Sequence, residues 1–138
     1  METTVKTRPD EDILEDIREF IRGYDPLKRD RGHLQYTSDK GHVVLIGHTR
    51  TTKSRRVLVD NVPDIPGVVS VDSAHLYDDE SLRFEVGRVL PRGTFVRVNY
   101  GTVVITGTLP KGVEEKAVIE AVKAVPGVRA DKVVTEFI

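Results

Sequence analysis

Apolar and polar positions change period several times along the chain, and each change marks an element. Ile13, Leu14, Ile17, Phe20 and Ile21 recur at helical spacing, so the pattern predicts a helix opening at Asp10. Asp10, Glu11 and Asp12 lie in its first turn, where carboxylates suit the positive end of the helix dipole. Gly23 stops this helix and Pro26 keeps it from resuming, which leaves a linker from Gly23 to Gly32 carrying Lys28, Arg29 and Arg31. Leu34 to Thr37 then reads as a strand, Ser38-Asp39-Lys40-Gly41 as a turn, and Val43 to His48 as the antiparallel return of a hairpin. After a polar loop from Thr49 to Lys53, Val57, Leu58, Val62 and Ile65 stripe a second helix. Pro63 should end or kink it, and Gly67 precedes a third strand, Val68 to Tyr77.

The same order then returns. Leu82, Val86, Val89 and Leu90 stripe a helix that Pro91 and Gly93 end. Phe95–Asn99 pairs with Val103–Thr108, Val113–Val125 forms the next helix, and Val133–Phe137 the last strand. Gly41-His-Val-Val-Leu-Ile-Gly47 recurs 60 positions later as Gly101-Thr-Val-Val-Ile-Thr-Gly107, and Pro66-Gly67-Val68 recurs at the same offset as Pro126-Gly127-Val128. Two features at one offset point to a tandem duplication. The expected fold class is α+β: two tandem α-β-β-α-β units, each a three-stranded mixed sheet with two helices on one face. The expected boundaries are a disordered N-terminus over 1–9, a first unit over 10–77 and a second over 78–138.

Strand alternation names the face that the helices leave open. Thr102, Thr106 and Thr108 share one side of their strand, so Val103 and Ile105 point inward. By the same phase the first copy exposes His42, Val44, Ile46 and His48. Val44, Ile46 and Val104 are then apolar side chains with no helix of their own unit over them. Burying one is worth roughly 1.5–3 kcal/mol. Two coverings follow: sheet on sheet, within the chain or in a homo-oligomer, or a lipid or protein partner.

Charge narrows the partners. The chain has 138 residues, 21 basic and 22 acidic, with formal net charge −1, so no overall field attracts nucleic acid or an anionic membrane. Tyr36, Phe95 and Tyr100 are the candidate stacking aromatics for nucleic acid, and their expected role is instead to pack the core or shield an edge. There are no cysteines, which removes disulfides, thiol nucleophiles and thiolate metal sites. Met1 to Asp16 lacks the apolar core of a secretory signal, and no apolar run approaches the roughly 20 residues of a membrane span. The expectation is a soluble, cytoplasmic protein.

Chemistry is sparse. His42 and His48 fall about 20 Å apart along one strand at ~3.3 Å per residue, too far to share an ion, so no metal is expected. No catalytic set or phosphate loop is visible, and the glycines sit at strand ends, so neither an enzyme nor a cofactor is expected. Asp78, Asp79 and Glu80 read as the cap of the helix that follows them. Arg50, Lys53, Arg55 and Arg56 gather where the second helix opens, and backbone N–H groups there favour anions. They are the candidate headgroup site. The second copy carries Lys111, Gly112, Glu114, Glu115 and Lys116 at that place, so the patch belongs to the first unit.

The glycine-bounded strand, the helix after it and the Pro-Gly-Val before a last strand resemble the BON domain. The matching residues are Gly41, Val43, Leu45, Gly47 and Gly67-Val68, then Gly101, Val103, Ile105, Gly107 and Gly127-Val128. The resemblance runs from about Asp10 to Ile138 as two copies. It implies a non-catalytic binding module for anionic phospholipid or a membrane-surface partner, in osmotic or envelope stress. The alternatives it leaves are a cytoplasmic protein-assembly module using the sheet faces, or a potassium-responsive sensor.

Overall fold

The first apolar stripe closes as α1 (Asp10–Gly23), with Ile13, Ile17 and Ile21 buried against a sheet. The computed structural model describes residues 8–138. The expected disordered segment, 1–9, therefore lies outside the described residues except for Arg8 and Pro9. Arg8 donates to Asp16 at 2.6 Å. After α1 the chain does not run as a linker. It forms a second helix, α2 (Asp25–Asp30), and a 3-10 turn over Arg31–His33. Pro26 stands in the first turn of α2, where its missing N–H costs nothing, so it starts a helix instead of preventing one. Leu27 and Asp30 hold α2 in place by burial.

Next come β1 (Leu34–Asp39) and β2 (His42–Thr49), antiparallel, with Asp39 opposite His42. The two-residue loop between them, Lys40-Gly41, has φ of 51° and 83°. Positive φ at both positions is what a primed hairpin turn requires. Helix α3 (Thr52–Asn61) gives way to a 3-10 turn at Val62–Asp64, so Pro63 ends the helix as its position implied. β3 (Ser70–Asp78) completes a sheet of order β1-β2-β3.

The second unit repeats the plan. It contains α4 (Asp79–Val89), β4 (Thr94–Asn99), β5 (Thr102–Gly107), α5 (Glu115–Lys123) and β6 (Val133–Phe137). β5 is central, antiparallel to β4 and parallel to β6. The fold class is α+β, with two three-stranded mixed sheets. Two compact units divide the chain: one runs to Thr49 and resumes over Lys53–Leu76, and the other takes Arg50–Thr52 and Tyr77–Ile138.

Equivalent positions behave alike. Val43 and Val103, Leu45 and Ile105, Leu58 and Val118, and Val62 and Val122 are all buried. The first core joins Ile13, Ile17, Val43, Leu45, Leu58 and Val62; the second joins Val86, Val103, Ile105, Val118 and Val122. Each therefore lies between its helices and one face of its sheet. Gly47 and Gly107, at φ of 128° and 100°, pass so close to the preceding chain that a Cβ would lie 2.0 Å from the His33 carbonyl oxygen and 2.2 Å from that of Gly93. Only glycine fits either site.

Candidate functional site

Two kinds of surface come out of this architecture: the helix-free faces of the sheets and the basic opening of α3. On β2, Val43 and Leu45 are buried, Val44 is half-buried, and Ile46 is 39% exposed. Register places Thr37 opposite Val44 and Gln35 opposite Ile46, so β1 brings only polar side chains to this face. His42, on the same face, shares a 2.6 Å hydrogen bond with Ser70.

In the second sheet, Val104 stands between Arg97 on β4 and Val134 on β6, and Thr106 stands between Phe95 and Glu136. Phe95 is 67% exposed and Val134 is 48% exposed. Arg97 and Glu136 approach to 3.7 Å. The result is an apolar set, Phe95, Val104 and Val134, beside one ion pair. Phe95 therefore does not pack the core: alternation on β4 turns Val96 and Val98 inward and Phe95 outward. Tyr36, by contrast, packs against its core.

The four basic residues differ in their surroundings. Arg55 is half-buried and its Nε donates to the Leu76 carbonyl at 2.7 Å, which ties α3 to β3. Arg50, Lys53 and Arg56 are exposed, and Lys53 and Arg56 lie three residues apart on the helix. Thr52 groups with the second unit. Its N–H donates to Glu80 at 2.9 Å and its hydroxyl to Asp78 at 2.8 Å. A carboxylate thus already occupies the first N–H that an anion would use there. Asp78 is also the N-cap of α4, accepting from the Ser81 N–H at 2.7 Å.

One pair of residues escaped sequence reasoning. Asp10 accepts the N–H groups of Lys40 and Gly41 at 2.8 and 3.0 Å, and the Ser38 hydroxyl at 2.6 Å. Asp79 accepts those of Tyr100 and Gly101 at 2.7 and 3.2 Å. The first residue of each leading helix therefore clamps its own hairpin turn. These hydrogen bonds hold the Asp10 carboxyl below its ordinary range, Ser38 contributing most, then Gly41 and Lys40.

Among the described residues, no group of three or more His, Cys, Asp or Glu is placed to hold a metal ion, and no helix is long and apolar enough to cross a membrane.

The BON domain family model matches residues 9–76. No curated protein matches the chain significantly. Among solved structures, the C-terminal domain of CdsD, the structural protein of the type III secretion system of Chlamydia trachomatis, superposes with a TM-score of 0.64 at 24% identity. The match covers 95% of this chain and 66% of that one. A second CdsD structure gives a TM-score of 0.64 at 24% identity, covering 92% and 60%. The chain thus spans less than two thirds of either, and the likeness is one of fold.

Proposed function

We propose that the protein, with residues 9–76 matching the BON domain, is a non-catalytic assembly module that packs onto a second copy through the open sheet face of the second unit. The duplication argues that residues 78–138 form a second BON domain, with the first over 10–77. The observation that carries the reading is the apolar set Phe95, Val104 and Val134 on a sheet face that the unit's own core does not use. Exposed apolar sets next to polar groups are where proteins associate. The fold shared with a structural protein of a secretion system supports the same reading. Sedimentation equilibrium tests it. The chain should sediment above its 15.4 kDa monomer mass, and Phe95→Glu should return it to that mass with an unchanged circular-dichroism spectrum. A wild-type chain that stays monomeric contradicts the reading.

A second reading is favoured by one observation, the exposure of Lys53 and Arg56 on α3. They would meet an anionic membrane surface electrostatically, at about 1 kcal/mol per basic residue. Vesicles containing phosphatidylglycerol should then bind the chain at low salt and lose it on Lys53→Glu with Arg56→Glu. Equal binding by that variant contradicts this reading.

A further inference from the structure

On the helix-covered side of the first sheet, Arg18 and Arg22 of α1, Arg31 of the 3-10 turn, Tyr36 of β1 and Ile21 line a cleft of about 200 Å³. We propose that this cleft binds a phosphate monoester or diphosphate group. Its volume is below the roughly 300–1,000 Å³ of pockets for drug-sized ligands, so it suits a small group. Among the described residues its lining carries three guanidinium groups and no carboxylate, which matches a dianion better than a singly charged diester. Arginine presents planar, paired donors that fit two phosphate oxygens at once, which lysine does not.

Ile21, 2% exposed, keeps water from one side of the site. Arg31 is already positioned, since its Nη1 donates to the Lys28 carbonyl at 2.6 Å, and its remaining donors stay available. Among the described residues, Arg18 and Arg22 pair with Glu15 and Glu19 of their own helix, at 3.4 and 3.6 Å. Such solvent-exposed pairs along one helix are weak, so a phosphate displaces them easily. The cleft shares no residue with the sheet face proposed for assembly, so either proposal can fail alone.

The test is calorimetric titration of the full chain with inorganic pyrophosphate, alongside flotation with phosphatidylcholine vesicles carrying phosphatidic acid or phosphatidylglycerol. Pyrophosphate binding that weakens about tenfold or more in Arg22→Ala and in Arg31→Ala, and less in Arg22→Lys, supports a soluble phosphate compound. The same losses seen only on phosphatidic acid vesicles support a lipid phosphomonoester as the source. Unchanged melting of Arg22→Ala shows that the fold persists. Three results would overturn the site: no binding of pyrophosphate or phosphatidic acid, binding indifferent to these arginines, or binding of phosphatidylglycerol that equals that of phosphatidic acid and falls as far in Arg22→Ala and Arg31→Ala.

Discussion

Asp10 does two jobs with one carboxylate. It sits at the positive end of α1, and it accepts both N–H groups of a turn 30 residues further along the chain. Because its folded-state pKa is lowered from 3.8, the unfolded chain binds its proton more readily. The stabilisation is therefore complete above that value and is lost as pH falls through the lower, folded one. Asp10→Asn should reduce stability at neutral pH and flatten the acid limb of the stability curve. Chemical denaturation at stepped pH checks this, and an unaltered acid limb would count against the clamp. The clamp was not legible in the sequence. Asp10 and Asp79 do not keep the 60-residue offset that relates the two hairpins, because α2 lengthens the first unit. Arg55 was hidden for a related reason: nothing local shows that its guanidinium reaches the end of β3.

At the scale of elements, the hairpins were the most readable part. Glycine-fenced β-branched runs set the strands, and a period of two set which face each residue meets, so Val43, Leu45, Val103 and Ile105 could be placed inward from pattern alone. Helix α2 was not readable, because a proline after a glycine is equally a stop and a first-turn residue. The hairpin turn offers a direct check. Lys40 holds φ of 51° with a full side chain, and that region costs a non-glycine residue roughly 1–2 kcal/mol. Asparagine tolerates it better and precedes Gly41 as the favoured turn pair. Lys40→Asn should raise stability by a few tenths to about 1 kcal/mol in urea unfolding. A loss of stability would mean that the turn is not of the primed kind.

For the whole molecule, asymmetry within each unit is decisive: helices bury one face of a sheet and leave the other open. The absence of cysteine in the natural chain allows a clean readout of that face, since one introduced thiol can pair only with its counterpart on another copy. Val104→Cys places it at the centre of the open face of the second sheet with little change in volume. Phe84→Cys places it on α4, at a position 67% exposed and so the more accessible of the two. Under mild oxidation, disulfide-linked dimer should accumulate with Val104→Cys and far less with Phe84→Cys. Equal yields, or a yield that follows exposure and favours Phe84→Cys, would contradict assembly through the open sheet.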